Sequence, residues 1–356
     1  MTHFWLRAEC RSDEFRTPIT PLGARKLIDS GISVTVEASN ARAFSTEEYR
    51  LIGCLIAEQG SWQNSKRETI ILGLKELSSK IPLEHRHIMF AHAFKKQKNS
   101  REILNNFKEG GGILYDLEYL TDSEGKRVTA FGRYAGFAGA IVGLNLWLAK
   151  KKDGSDRSFK MSPNYNKDQI IKSLKSNLSD HILNKRTEPR VIIIGANGRV
   201  GRGAKELFNS MGIKTTDWDM AETVKGGPFS EILDYDIFVN CVLSSSVMRP
   251  FIDKSLLDSP RRLLVISDVS CDPGSDYNTI PLYDQPNSFR VPYHKIMNKN
   301  GPLYITAIDN LPSMLPKESS LDFESQLLPY LQGFKNDQYG VWARAKQVFS
   351  KHSEEN

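Results

Sequence analysis

The sequence predicts an α/β protein of two doubly wound domains, on three observations. Apolar runs of strand length alternate with helical segments along most of the chain. One run, from Val191 to Ile194, passes through Gly195, Gly198 and Gly201 directly into a segment of helical spacing. At 356 residues the chain is long for one core and comfortable for two.

Residues 3–9 read as the first strand, and the Thr20-Pro21 step opens a helix over 18–29 that Gly31 ends. A strand at 32–36, a helical piece at 46–51 and an apolar strand at 68–74 follow, the last closing on Lys75-Glu76. A short strand at 87–91 closes on His92, and a helix over 101–108 leads through Gly110, Gly111 and Gly112 into a strand at 114–118 that ends on Glu118. The apolar stretch 131–149 carries Arg133 and Asn145 and falls short of the roughly 20 apolar residues of a membrane span, so it reads as a buried helix. A surface loop at 150–156 and a helix over 168–183 precede the glycine-bearing strand. Further strands are expected at 214–219, 236–243, 262–269 and 303–308, and helical stretches at 327–331 and 341–349 are expected to fold back on the first domain. Ligands of such sheets sit beyond the carboxyl ends of the strands, which makes Lys75, His92 and Glu118 candidates for one shared cleft.

Strand, glycine turn and helix form the layout that cradles a phosphate. Gly195 permits the turn, Gly198 lets backbone approach a pyrophosphate, and Gly201 lets helix and strand pack closely, with the helix N-terminus aimed at the anion. The spacing is GxxGxxG rather than GxGxxG, and an ordinary βαβ unit with structural glycines is the plainer alternative. The next segment favours a nucleotide: KTTDWD ends in Asp219, about 20 residues on, where a carboxylate accepts from a ribose 2′-hydroxyl. That carboxylate repels a 2′-phosphate, so NAD is expected over NADP.

The net charge of +6 is modest, and the lysines are scattered or in short runs without interleaved aromatics, which excludes a nucleic-acid stripe while suiting a polycarboxylate substrate. Cys10, Cys54, Cys241 and Cys271 are widely spaced, with no zinc pattern and no disulfide framework, so no metal is expected. The opening MTHFWLRAECRSDEFR lacks an apolar core and the chain closes on Glu354-Glu355-Asn356, from which a cytoplasmic location without membrane association is expected.

A hydride-transfer enzyme needs a nucleotide site and protein groups that move the accompanying protons. Lys75 serves as a base near neutrality only if burial or charge lowers its pKa, whereas His92 titrates there unaided. Taken singly, Lys75 also reads as a surface lysine, His92 as a structural histidine, and Arg16 and Arg127 as salt-bridged or exposed. His85 and His87 take no role, because spacing alone does not fix their faces.

In combination, LRAEC…FRTPITP (6–21), ILGLKE (71–76), HIMFAHAFKKQ (87–97), ILYDLEYL…GKRVTAFGRYAGFAGA (113–140), GANGRVGRGA, WDMAETVKGGPF (218–229), DIFVNCVL, ISDVSCDP (266–273) and AIDNLPSMLP (307–316) resemble the lysine-forming, NAD-dependent saccharopine dehydrogenase family of fungi. The resemblance covers nearly the whole chain in one order, and alanine dehydrogenase and the nicotinamide nucleotide transhydrogenase domain are its wider fold relatives. It implies two Rossmann-like domains around a cleft, 1–132 with 318–356 for substrate and catalysis and 133–317 for NAD. It further implies a monomer that turns saccharopine, NAD and water into L-lysine, 2-oxoglutarate and NADH.

By the same resemblance Lys75 takes the proton of the secondary amine, His92 manages the protons of imine hydrolysis, and Glu76 and Glu118 tune both. Arg16, Lys75, Gln97, Arg127 and Phe131, with Ser270, Cys271 and Asp272, match substrate-binding positions; two arginines suit a substrate with three carboxylates. Gly198, Arg199, Asp219, Thr223, Leu243, Val269, Ile308, Asp309, Asn310 and Leu311, together with Lys126, match cofactor-binding positions. The chain departs from the family pattern at Lys126, where an arginine can stand, at Leu243, where an aromatic can stand, and at Val200, where a cysteine can pair with the position of Cys241. An alanine dehydrogenase-like enzyme and a non-catalytic NAD sensor are the alternatives. The arginines with Gln97 weigh against the first, and Lys75 with His92 against the second.

Overall fold

The computed structural model describes residues 1–77, 81–94, 100–153, 159–163, 165–185, 187–244, 246 and 248–354. The chain divides into two compact units, Met1–Phe131 with Pro316–Asn356, and Gly132–Leu315.

The first unit holds β1 (His3–Leu6), α1 (Pro21–Asp29), β2 (Ser33–Glu37), α2 (Thr46–Leu51), β3 (Leu55–Ala57), β4 (Ile70–Leu72), β5 (Arg86–Met89), α3 (Ser100–Gly110) and β6 (Ile113–Asp116). Its six strands are all parallel, in the order β3-β2-β1-β4-β5-β6. The winding reverses between β1 and β4, the crevice where open α/β sheets bind ligands. Ile70 and Leu72 enter the core on one face and Ile71 the core on the other, which is why this strand reads as a continuous apolar run instead of an alternation. Thr20 caps α1 by accepting from Gly23 N, with Pro21 in the first turn, where its missing N–H costs nothing.

The second unit begins with α4 (Gly132–Asp153) and α5 (Lys167–Lys185), followed by β7 (Val191–Ile194), α6 (Arg199–Ser210), β8 (Thr215–Trp218), α7 (Met220–Thr223), β9 (Ile237–Asn240), β10 (Val265–Asp268), β11 (His294–Asn298) and β12 (Gly301–Thr306). The strand order is β11-β12-β10-β9-β7-β8, parallel except for the β11–β12 pair. Val191 and Ile193 face one core and Ile192 and Ile194 the other. The last helices, α8 (Pro316–Gln332) and α9 (Val341–Glu354), belong to the first unit, where Phe323, Leu327, Trp342 and Ala345 join its core. Among the described residues no helix is long and apolar enough to cross a membrane.

Four expectations are corrected. Residues 150–153 continue α4 instead of opening the surface loop expected at 150–156. Residues 117–119 form a 3-10 turn rather than continuing a strand, because the Asp116 side chain accepts from Glu118 N and caps it. β3 and β11 are strands that sequence did not predict. Each lies at a sheet edge with half-exposed side chains, so neither shows the apolar run of a central strand.

Gly136 of α4 and Gly203 of α6 set how closely these two helices cross. A β-carbon on Gly203 would overlap the Arg133 carbonyl oxygen, and one on Gly136 the Val200 carbonyl. Both obstacles are helix backbone, which does not yield as a flexible side chain would. Gly203→Val is therefore expected to cost about 1–3 kcal/mol or more through overpacking. Thermal unfolding with a lowered midpoint checks this, and an unchanged midpoint would show that the crossing tolerates a larger separation.

Candidate active site

The ends of β1, β4 and β5 place the proposed proton carriers. Phe90 N donates to Leu74 O at 2.9 Å, continuing the β4–β5 pairing past its last ladder residue, so Lys75 and His92 lie just beyond neighbouring strand ends. The backbone of Lys75 is clamped by the segment after β1: its N–H donates to Glu9 Oε2 at 3.0 Å, the N–H of Leu74 donates to Glu9 Oε1 at 2.7 Å, and Arg7 donates to the Lys75 carbonyl. Glu76, which follows, is tied by ion pair to Arg11. Burial raises its carboxyl, but the hydrogen bond and charge of Arg11, with the charge of Lys75, bring it net below the ordinary carboxylate range.

His92 has a φ of 52°, the left-handed region that few non-glycine residues adopt. Its Nδ1 lies 3.6 Å from Glu118 Oε2, and Arg127 Nη1 lies 3.9 Å from Glu118 Oε1, so one carboxylate reaches both an imidazole and a guanidinium. Phe90 stacks on His92 at 6.4 Å between centroids and tilts against Phe131 at 6.3 Å. Phe131 in turn stacks on Phe323 of α8 at 4.3 Å.

The guanidinium of Arg16 lies 4.2 Å above the Phe131 ring and makes a paired contact with the buried Glu14, Nε to Oε1 at 2.7 Å and Nη2 to Oε2 at 2.6 Å. Burial raises the Glu14 carboxyl, yet the Arg16 charge and hydrogen bonds and the charge of Lys75 hold it net below the usual range. The first unit thus gathers Arg16, Lys75, Glu76, His92, Glu118, Arg127 and Phe131 around the carboxyl ends of its central strands. Gln97 lies outside the described residues.

Sequence reasoning missed Arg7, Glu9, Glu14, Phe90, Asp116 and Phe323. Asp116 carried a readable signal as an acid closing the apolar run ILYD. The bonds of Glu9 to Leu74 and Lys75 join residues 65 or more positions apart, and no local pattern announces them.

His85 and His87 stand apart from this cluster. His87 is buried edge-on between Trp62 and Phe107 at 5.2 and 5.4 Å, and burial, with the charges of Arg7 and His85, holds its pKa well below the usual value. His85 meets Ser65 at 3.1 Å. Both are core residues.

In the second unit the turn after β7 has the form of an anion cradle. Gly195 has a φ of 85°, and a β-carbon there would stand 2.8 Å from Val242. A β-carbon on Gly201 would overlap the Gly195 carbonyl oxygen, whereas one on Gly198 meets only that oxygen, at 3.5 Å. The protein's own packing therefore does not require glycine at 198, and the backbone there is left open to the approach of an external group. Gly198 is the N-cap of α6 and offers no side chain to the first-turn N–H groups, beginning at Arg199, which suits a diphosphate.

Asp219 closes β8, and its Oδ2 accepts from Asn197 N of the glycine turn at 2.8 Å. Thr223 Oγ1 donates back to Asp219 O at 2.9 Å. Leu243 is 65% exposed beyond β9. Ile308 and Leu311 are each 3% exposed within the core, so any ligand contact from them is through backbone. Asp309 is exposed beside Asn310, whose amide donates to Ser313 Oγ at 2.8 Å. Val269 packs against Gly139. Lys126 belongs to the first unit, in a turn where its N–H donates to Asp122 Oδ1 at 2.9 Å.

The loop after β10 is held by a buried carboxylate. Asp268 accepts from Asn240 at 2.9 Å, Ser270 Oγ at 2.6 Å and Tyr283 at 2.7 Å, which orients Ser270 and leads into Cys271, a second left-handed residue with φ 47°, and Asp272. All four cysteines are free. Burial pushes the Cys54 thiol up to about 11, and burial together with nearby acids raises Cys241 and Cys271, so these three are poor thiolates at neutral pH. Among the described residues no three His, Cys, Asp or Glu side chains form a group able to hold a metal ion.

Residues 5–138 match the model of the alanine dehydrogenase/PNT N-terminal domain. The chain is similar to saccharopine dehydrogenase [NAD(+), L-lysine-forming] of Candida albicans, at 42% identity over 98% of this chain and 96% of that protein. The protein of the same name from Yarrowia lipolytica is 41% identical over the same shares. Among solved structures an L-alanine dehydrogenase superposes with a TM-score of 0.69 at 16% identity, covering 99% of this chain and 94% of that one, a likeness of fold alone. Two Rossmann-like sheets, strand-end acid and base groups and full-length identity above 40% lead to one conclusion: this chain belongs to the lysine-forming, NAD(+)-dependent saccharopine dehydrogenase family.

Proposed function

We propose that this NAD-dependent oxidoreductase cleaves saccharopine oxidatively to L-lysine and 2-oxoglutarate, with Lys75 and His92 moving the protons. The observation that carries this reading is the placement of Lys75 and His92 beyond adjacent strand ends, with Glu118 3.6 Å from the imidazole. We assign substrate handling to residues 1–132 with 318–356, and NAD to residues 133–317.

The turn at Gly198 and Arg199 would hold NAD, which would supply the acceptor for the hydride lost from the glutarate carbon of the substrate. Lys75 takes the proton of the secondary amine, so that the departing hydride leaves an imine. His92 then takes a proton from water as it adds to that imine and delivers it to the nitrogen, and next takes the carbinolamine hydroxyl proton and passes it to the nitrogen as the C–N bond breaks, releasing the ε-amine of lysine and the 2-oxo group. Glu118, shared by His92 and Arg127, favours the protonated imidazole, and Glu76 adds negative charge beside Lys75, raising its proton affinity. Arg16 and Arg127 take substrate carboxylates, Phe131 supports Arg16 from below, and Ser270 to Asp272 supply further polar contacts. The groups of the second unit hold NAD, with Asp219 accepting from the ribose.

Recording NADH formation with saccharopine, with alanine and with neither tests the reading. Turnover on saccharopine alone is expected, and turnover on alanine alone would replace it with an alanine dehydrogenase activity.

Asp219→Ala is expected to raise the KM for NAD by about 10-fold or more, the worth of one hydrogen bond to a charged acceptor, and to narrow the discrimination against NADP. The saccharopine KM should stay near the parent value. Initial rates with the two cofactors check this, and an unchanged NAD to NADP preference would remove Asp219 from the ribose.

A further inference from the structure

The backbone that carries His92 is unusual in needing support. A left-handed φ of 52° at a non-glycine residue costs about 1–3 kcal/mol and persists only where its surroundings hold it. The hydrogen bond nearest to that strain is made by the preceding residue: Ala91 N donates to Asp116 Oδ2 at 3.3 Å. The other oxygen of the same carboxylate accepts from Glu118 N at 2.9 Å. Asp116 is the last residue of β6, opposite Met89, the last residue of β5, and is 0% exposed. One buried carboxylate therefore bridges the two strand ends that bear the imidazole and its acidic partner.

We propose that Asp116 is a positioning residue for the reaction, fixing the backbones of His92 and Glu118 relative to each other and lending its charge to the protonated imidazole. This rests on the assignment of His92 as a proton carrier. The charged groups that face Asp116 are His92, from the segment after β5, and Glu118, from the turn after β6, with Arg127 reaching the far side of Glu118. Burial raises the Asp116 carboxyl to about 6, against the hydrogen bonds from Glu118 and Ala91 and the charge of His92. It is therefore ionised at neutral pH, and below about 6 it becomes protonated and both backbone bonds weaken.

Removing this negative charge disfavours the imidazolium. Asp116→Asn keeps the volume, removes the charge and turns an NH₂ group towards one of the two backbone donors. In the full chain this variant is expected to lower kcat at least 10-fold, to leave the KM for NAD within 2-fold, and to move the His92 imidazole titration, followed by NMR, to lower pH. A merely structural role would not shift that titration.

If kcat and the titration both stay at parent values in the folded variant, the proposal is overturned. A shifted titration with parent kcat would leave the coupling of Asp116 to His92 standing and instead remove His92 from the chemistry, which separates failure of the two readings. Should the asparagine variant not fold, Asp116→Glu retains the charge one methylene further along. A several-fold lower kcat with the titration retained supports the positioning role, and a parent kcat overturns it.

Discussion

Saccharopine-dependent NADH formation is expected to fall by about 10²–10⁴-fold in Lys75→Met and again in His92→Gln, the range for loss of a positioned general acid or base. NADH binding, read by its fluorescence, should persist in both, because the glycine turn and Asp219 lie in the other unit of the chain. The double variant should fall by less than the product of the single losses, since groups that serve one proton sequence do not contribute independently. Methionine keeps the length of Lys75 without its amine, and glutamine keeps a polar group at 92 that does not titrate. Near-parent turnover in the double variant would refute both assignments. The acid limb of the kcat/KM profile gives a second check, because it should lose one ionisation in His92→Gln.

Arg16 should show two separable effects. Arg16→Lys keeps the charge and loses the planar fork, so the KM for saccharopine is expected to rise about 10–100-fold, the worth of one charge-assisted hydrogen bond, with the NAD KM unchanged. Arg16→Met also takes from the buried Glu14 the guanidinium that pairs with it, which costs about 3–5 kcal/mol of stability. The pH dependence has a definite sign. In the parent the folded Glu14 pKa is depressed, so the stability from this pair is present above the unfolded carboxyl value and is lost as pH falls through the folded one. In Arg16→Met the term lost is the one that opposed burial, so Glu14 rises and takes up a proton more readily in the folded state. The deficit in melting midpoint should therefore be largest near neutrality and narrow on acidification. A deficit independent of pH would mean that Glu14 is not the source of the cost.

Elements whose cause is local were legible. The four apolar residues Val191–Ile194 form a strand with the bounds read from sequence, because β-branching and burial on both faces leave one interpretation. Thr20-Pro21 marks the start of α1 for an equally local reason, a side-chain acceptor followed by a residue with no N–H to satisfy. The edge strands β3 and β11 escaped because half-exposed side chains remove the apolar run, leaving only pairing with a neighbour to define them.

Residue order by itself determined the α/β class, the glycine turn with its acid just after the next strand, and the positions of Lys75 and His92 just beyond strand ends, since each follows from short-range sterics and from which side chains leave water. Only the tertiary structure decided that Glu9 and Arg7 clamp Lys75, that Glu14 grips Arg16 above Phe131, and that Asp116 joins the segments bearing His92 and Glu118. The reason is that the energy of a buried charge depends on which partners arrive from other strands to replace its water, and those partners are set by strand order and winding, which no local window contains.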